Sequence, residues 1–376
     1  APVAGAGDRG APPAAADAGA WAEGAGAAPP PAALPSLGAR LRSRRTLASF
    51  GLALVLLGAL AWRLDRAVLA DAWERVRSAR PGWWLAALGA YYLAFPARAA
   101  RWRILLANAG EPARSIPRAG VLAEIIYLSW FANALVPAKL GDVWRGWLLR
   151  REAGTSWTRA MGTVVAERAL DLVVLVCLMV GAGFLTYGDV LASGVAGGLG
   201  ACLTGGAGGD VGCALARLFA LGAAVVLGLV AGLVLLARFG AHLERRLPAR
   251  IGARYAAFAG ALVLSFRRFG PLLALSGTAW AAEGASFYLV GRALDLSLAA
   301  PLVVFFSLLQ AFITAIPATP GGLGLEFVLA GAIGLRGYPP ADALALTALY
   351  RTISYLSLIA GGAVVLLVSP RIRSAR

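Results

Sequence analysis

The sequence predicts an all-α polytopic membrane protein with about six full transmembrane helices and two Pro/Gly-broken re-entrant elements arranged as an inverted repeat. Three observations carry that prediction. The chain is 59% hydrophobic and 14% charged, with a mean hydropathy of +0.73, whereas a soluble domain carries about 25% charged residues. Several apolar runs approach the roughly 20 residues that a bilayer core requires. Two other apolar runs are cut by proline and glycine at related places. The alternating segments of about 10 residues that mark a transmembrane β-barrel do not occur in the sequence.

Residues 1–39 are Ala-, Pro- and Gly-rich with few large apolar side chains, so they cannot bury enough surface to order themselves and form a disordered tail. A basic cluster (Arg40, Arg42, Arg44, Arg45) opens the transmembrane domain, 40–370, and precedes a first span over 47–62. Arginines on that side place the N-terminus in the cytoplasm. Residues 64–78 put Leu64, Val68, Ala72 and Val76 at helical spacing between charges, the pattern of an amphipathic helix lying on the outer face. A second span, 82–97, leads into a basic stretch with Arg98, Arg101 and Arg103, read as cytoplasmic.

The apolar segment 120–137 ends at Pro137 and meets another basic stretch, so both its flanks read as cytoplasmic. Such a segment is re-entrant or two half-helices, and irregular backbone survives at that depth only inside protein or beside a wet cavity. A span over 161–186 leads to a Gly-rich outer loop, 188–216. Cys202 and Cys213 lie in that loop and can form a disulfide there, although two loop cysteines do not require one. Spans over 218–237 and 271–291 flank a basic cytoplasmic region. The run 301–335 is broken by Pro317, Pro320, Gly321, Gly322 and Gly324, and a last span, 343–368, ends at the basic tail 371–376.

The net charge of +16 does not indicate nucleic acid, because the arginines sit between apolar runs, where anionic headgroups meet them. Three cysteines and one histidine make no metal-ligand spacing, and no phosphate loop of the G-x-x-x-x-G-K-[ST] type occurs. The expectation is therefore no cofactor, no metal and no ATP-driven step by this chain.

The two broken elements read NALVPAKLGDV and TAIPATPGGLG, each an apolar approach, a proline and a Gly-containing turn. The span after each carries an arginine, Arg168 in the first and Arg351 in the second. With the topology above, the two units have opposite orientation, and paired Pro/Gly-interrupted segments point to a transporter binding site.

Charged residues within spans cost about 2.5 to 3.5 kcal/mol at a helix centre on the insertion scale, so they call for a purpose. Glu167 and Asp171 share a helix face with Arg168 and can pair with it, whereas Arg351 has no acid at helical spacing on its own helix. That frees Arg351 for Glu326, Glu283 or an external anion. Glu283, near the middle of 271–291, should face the bundle interior. Lys139 is the single lysine of the chain, and with Asp142 and Arg145 it follows a helix-breaking turn suited to a phosphate. An ordinary turn with a local Lys–Asp pair is the plainer alternative.

RAARWRILL (98–106), NALVPAKLGDVWR (133–145), AERALDL (166–172) and IPATPGGLGLEF (316–327) resemble the lysylphosphatidylglycerol synthase transmembrane-region family over roughly residues 45–370. The resemblance implies a flippase-like membrane domain that accommodates lipids such as aminoacylated phosphatidylglycerol or polyprenyl-phosphate-linked lipids. Carried onto this chain, its motif covers Asn133, Pro137, Lys139, Gly141, Asp142, Arg145, Glu167, Arg168, Asp171, Pro320, Gly321, Gly322 and Glu326. The soluble aminoacyl-transferring domain is not in this sequence, so lysyl transfer, or any enzyme activity, is not expected.

The combined expectation is a lipid translocase of the cell membrane with both termini cytoplasmic. Lys139, Arg145, Arg168 and Arg351 hold the lipid phosphate, and the other motif residues with Glu283 shape or couple the site. Its partners are membrane lipids rather than nucleic acid. The alternative is a non-transporting subunit that presents a lipid to a separate glycosyl- or aminoacyl-transferase.

Overall fold

The structure, a computed structural model, describes residues 65–136, 140–195, 211–315 and 326–369, with isolated helical positions at 47, 51, 55, 58, 59 and 62. The tails 1–39 and 371–376, the turn 137–139 and the segment 316–325 lie outside the described residues, so Pro137, Lys139, Pro320, Gly321 and Gly322 do too. Every regular element among the described residues is helical.

The helix α1 (Arg66–Arg77) starts at Asp65, whose carboxylate accepts from the Ala67 N–H at 2.9 Å. It packs on the C-terminal helices, with Arg75 3.0 Å from Asp342. α2 (Pro81–Asn108) opens with proline, which has no N–H to leave unsatisfied in the first turn. It runs through Pro96 and on past Arg98 and Arg101. The span predicted over 82–97 therefore stopped too early. At 28 residues, α2 is roughly 42 Å long.

Next come α3 (Ala119–Leu135), α4 (Leu140–Ala153), the long α5 (Trp157–Val195) and α6 (Val211–Arg246). α7 (Ala249–Leu264) occupies much of the stretch expected to be a basic connection and packs against α5 and α6. Its small residues face inward: Gly162 of α5 lies against the Phe258 carbonyl and Ala261. α8 (Phe269–Ala293), α9 (Ala300–Ala315), α10 (Glu326–Gly334) and α11 (Pro340–Arg351) follow. α11 continues through a π-helical turn, Thr352–Ser357, into α12 (Leu358–Val368). By length and composition, Trp157–Ser193, Gly212–Arg246, Ala249–Ala293 and Pro340–Val368 can cross a membrane. The protein is thus an all-α, multi-pass membrane protein.

The two broken elements differ from those spans. α3 has 17 residues and α9 has 16, or roughly 25 Å each, short of a roughly 30 Å hydrocarbon core. α3 packs on α4, and α9 is in contact with α10. The α3–α4 contact is close because Gly141 lies directly against the Ser129 carbonyl and 2.7 Å from Asn133 Oδ1 at the Cβ position.

The packing repeats between halves. α2 and α8 lie antiparallel: the Arg80 N–H donates to the Ala293 carbonyl at one end, and Arg101 meets Ser276 farther along. α12 packs on α3, and α5 packs on α9. Both contacts use glycine for close approach, Gly361 and Gly362 against Tyr127 and Phe131, and Gly183 against Phe219 and Phe305. Each half thus contributes one helix of the central antiparallel pair, a hairpin and a long helix, and each long helix packs on the other half's hairpin.

Cys213 is buried and disulfide-bonded, Cys177 is free, and Cys202 lies outside the described residues.

Gly362→Val should lower the melting temperature in detergent by several degrees, since forcing a side chain into the Phe131 ring costs about 1–3 kcal/mol. Gly228→Ala, at an open mid-helix position, should leave it unchanged or raise it, by about 0.5–1 kcal/mol at most. Equal melting shifts for the two variants would contradict the close α3–α12 contact.

Candidate functional site

A chain of ion pairs ties α2, α4 and α5 together. Arg145 of α4 is fully buried, lies 3.7 Å over the Trp102 ring and donates to both Glu167 oxygens at 3.1 and 2.6 Å. Glu167 also faces Arg101 at 3.2 Å. Arg101, itself fully buried, donates to Asp171 at 2.5 and 3.0 Å and to Ser276 Oγ at 2.7 Å. At the open end, Arg168 donates to Asp142 at 3.0 and 2.8 Å and lies 3.9 Å from Asp171.

The residue types explain the pattern. Guanidinium is planar and always charged, and it grips a carboxylate with two parallel hydrogen bonds. Buried charges persist only where such pairing offsets desolvation. Asp142 is further held by Ser129 Oγ and Asn133 Nδ2, both at 3.2 Å, while the Gly141 N–H donates to Asn133 Oδ1 at 2.8 Å. One N–H of the turn expected to cradle a phosphate is therefore already taken.

A second pair sits where α2 meets α8. Arg98 donates to Glu283, and its guanidinium lies between Trp130 at 4.7 Å and Trp280 at 5.2 Å. Around these two groups is a cavity of about 420 Å³ whose walls come from both halves. Arg98, Arg168 and Arg351 line it, with Asn133, Asp142, Asp171 and Glu283. Its neutral polar wall includes Ser307, Gln310, Thr314 and Ser354, and its aromatic wall includes Tyr91, Trp130, Trp280, Tyr350 and Tyr355.

The two halves contribute at matching positions. Arg168 and Arg351, Asp171 and Ser354, Leu172 and Tyr355, and Leu175 and Leu358 all line the cavity, and the same length of chain separates each pair. Arg351 closes α11 immediately before the π-helical turn and lies 5.2 Å from the Tyr355 ring.

The site residues named from the sequence fall into three groups. Arg168, Arg351, Asn133, Asp142, Asp171 and Glu283 come together around the cavity. Arg145 and Glu167 are sealed in the ion-pair chain, 0% and 1% exposed, and are not among the cavity's lining residues, while Gly141 packs inside the α3–α4 hairpin. Lys139, Pro137, Pro320, Gly321 and Gly322 are outside the described residues, and of Glu326 only its place at the start of α10 is described.

Sequence reasoning missed Arg98 and Arg101, which it read as a cytoplasmic flank. Hydropathy ends a span where arginines begin, and the acids that neutralise these two lie on α5 and α8, far along the chain. Gln310, a lone amide in an apolar run, was a legible signal left unused.

The chain belongs to the family described as the lysylphosphatidylglycerol synthase TM region, which matches residues 47–362. It is 30% identical over 244 residues to UPF0104 membrane protein MJ1078 of Methanocaldococcus jannaschii, covering 64% of this chain and 95% of that protein. It is also 26% identical over 298 residues to glycosyltransferase AglD of Haloferax volcanii, covering 72% of this chain but 46% of that relative. This chain therefore spans under half of the named glycosyltransferase.

Glu167→Ala should destabilise the fold by about 3–5 kcal/mol, because it leaves Arg145 and Arg101 buried without a shared carboxylate. In thermal unfolding it should therefore melt far below the parent protein. Asp189→Asn, which removes an exposed partner of Arg336, should leave the melting curve in place. A small effect of Glu167→Ala would mean that the ion-pair chain does not hold these helices.

Proposed function

We propose that the protein binds the headgroup of an anionic, phosphate-bearing lipid in the central cavity and moves it between leaflets of the cell membrane. The observation that carries this reading is the convergence of Arg98, Arg168 and Arg351, from three helices, on one cavity between two oppositely oriented halves. Arginine matches phosphate geometry with paired donors. A volume near 420 Å³ suits a headgroup, since ligand pockets run from about 300 to 1,000 Å³. Arg168 and Arg351 hold the phosphate together with Lys139, the residue that precedes α4 in the sequence, and Arg145 braces α4 from behind. The protein acts as a carrier rather than an enzyme, by facilitated or ion-coupled movement, with both termini cytoplasmic.

A second reading rests on the likeness to a protein named as a glycosyltransferase: the domain holds a lipid-linked substrate for a separate membrane enzyme and moves nothing itself. The two separate in proteoliposomes containing the purified protein alone. The carrier reading expects faster crossing of a fluorescent anionic phospholipid than in empty vesicles, with co-purified anionic lipid in native mass spectrometry. No acceleration across several headgroups would leave the presenting role.

Arg351→Ala should reduce retention of anionic lipid by roughly tenfold to a hundredfold, the worth of a charge-assisted hydrogen bond. Lys139→Arg tests whether the compact ammonium matters, since arginine demands a wider, planar contact. Slower transport by that variant supports a phosphate contact at the turn, and unchanged transport removes Lys139 from the site.

A further inference from the structure

We propose that Glu283 is a proton-binding site: an anionic headgroup moves through the middle of the cavity together with one proton carried on the Glu283 carboxylate. The proposal rests on the lipid-binding reading above and names the ion that couples to it.

The first observation is how differently the described carboxylates of the cavity wall are held. Asp142 has Arg168 and also accepts from Ser129 Oγ and Asn133 Nδ2. Asp171 takes two hydrogen bonds from Arg101 and lies 3.9 Å from Arg168. Among the described residues, Glu283 has a single hydrogen-bond and ion-pair partner, Arg98. It is the acid with least to lose by taking a proton.

The second observation is which member of that pair meets the cavity. Both line it, but the Glu283 side chain is 9% exposed and that of Arg98 only 2%. Arg98 is also flanked by Trp130 and Trp280, 4.7 and 5.2 Å from its guanidinium, which hold it in place behind the acid. The pair thus turns its negative member toward the path of an anion. Two like charges in a water-poor site cannot both stay ionised, and a phosphodiester keeps its charge far below neutral pH. The carboxylate is the group that gives way. A proton on Glu283 removes the repulsion and leaves Arg98 as a net positive charge. It also supplies an O–H that donates to a phosphate oxygen.

The third observation is the local charge balance. Besides Arg98, the ionisable groups that act on Glu283 are Arg101 and Tyr91 of α2, Asp171 of α5 and Tyr350 of α11. Arg101 and Asp171 bind each other, and tyrosine hydroxyls are uncharged near neutral pH. The wall also carries Arg351, and Arg168 bound to Asp142. With Glu283 ionised, its pair with Arg98 is neutral. With one proton the pair carries one positive charge, which matches the single negative charge of a phosphodiester.

The test uses the whole chain and phosphatidylglycerol, a phosphodiester that stays charged over the pH range applied. In weakly buffered detergent solution with a pH indicator, adding phosphatidylglycerol to lipid-depleted protein should take up about one proton per lipid retained. Because the loaded form holds a proton that the empty form lacks, retention should fall as pH rises, by up to about tenfold per pH unit. In proteoliposomes, an imposed pH gradient should change the crossing rate of fluorescent phosphatidylglycerol. A potassium diffusion potential should change it little, since anion and proton move as a neutral pair. Glu283→Gln, a fixed mimic of the protonated form, should retain lipid with a flat pH profile, and Glu283→Asp should restore the slope. Asp142→Asn should keep the slope whatever it does to retention. If Glu283→Gln does not fold, proton uptake by the parent protein decides alone.

Retention of phosphatidylglycerol without proton uptake and with a flat pH profile would overturn the proton site and leave anionic-lipid binding standing. A slope that survives in Glu283→Gln and disappears in Asp142→Asn would place the proton on another acid and overturn it equally. Failure to retain any anionic phospholipid at any pH would sink both.

Discussion

The structure depends on keeping arginines charged and paired where a membrane protein has no water to offer them. Arg98, Arg101 and Arg145 are at most 2% exposed, and an uncompensated guanidinium at such sites costs several kcal/mol. Three carboxylates on other helices, Glu167, Asp171 and Glu283, meet that cost. Because every one of these pairs joins different helices, α2, α4, α5 and α8 cannot separate without exposing bare charges. Hydrophobic packing is non-directional and much the same against lipid as against protein. The ion pairs therefore set which helix faces which, and the apolar contacts fill in around them.

The halves meet along the antiparallel α2–α8 pair, with Arg98 and Glu283 opposite each other near its middle. Helices α3 and α9 are each shorter than a full span, and the long helix of the opposite half packs on each through glycine contacts. The cavity is what remains between two half-length elements and two full-length ones. Its position follows from helix length and small-residue packing, and its chemistry from the arginines exposed at its edge.

Much of the frame was legible in the chain. Pro137 and the 317–324 Pro/Gly cluster marked the ends of α3 and α9, because proline cannot continue a helix and apolar runs that short cannot span. Arg168, Arg351 and Glu283 stood out because charge inside an apolar run is expensive. Partner identity was not legible. Arg168 has Glu167 and Asp171 on its own helix face, yet its two short hydrogen bonds go to Asp142, brought close by the α3–α4 turn. Helical spacing reports only local neighbours, and these pairs are long-range. The same blindness misread Arg98 and Arg101: hydropathy counted their charge without the acids that cancel it, and so ended α2 at 97, short of Asn108. Arg145, read as a headgroup contact, belongs to the sealed part of the network for the same reason.

Pairing also limits how tightly such a site can hold an anion. Arg168 already gives two hydrogen bonds to Asp142, so a phosphate beside it gains only the difference between partners. A cavity of bare arginines would hold a phosphate strongly, and a headgroup that cannot leave is not carried anywhere. Asp142, for its part, keeps Ser129 and Asn133 when Arg168 turns away, so it is not left bare. These second partners both sit on α3, whereas Arg168 sits on α5. Exchange of partners at Arg168 therefore removes a link between the hairpin and the long helix while leaving the hairpin itself intact. On the proposed lipid-binding reading, the α3–α4 element is tied to the long helix more firmly with Arg168 on Asp142 than with an anion drawing Arg168 away.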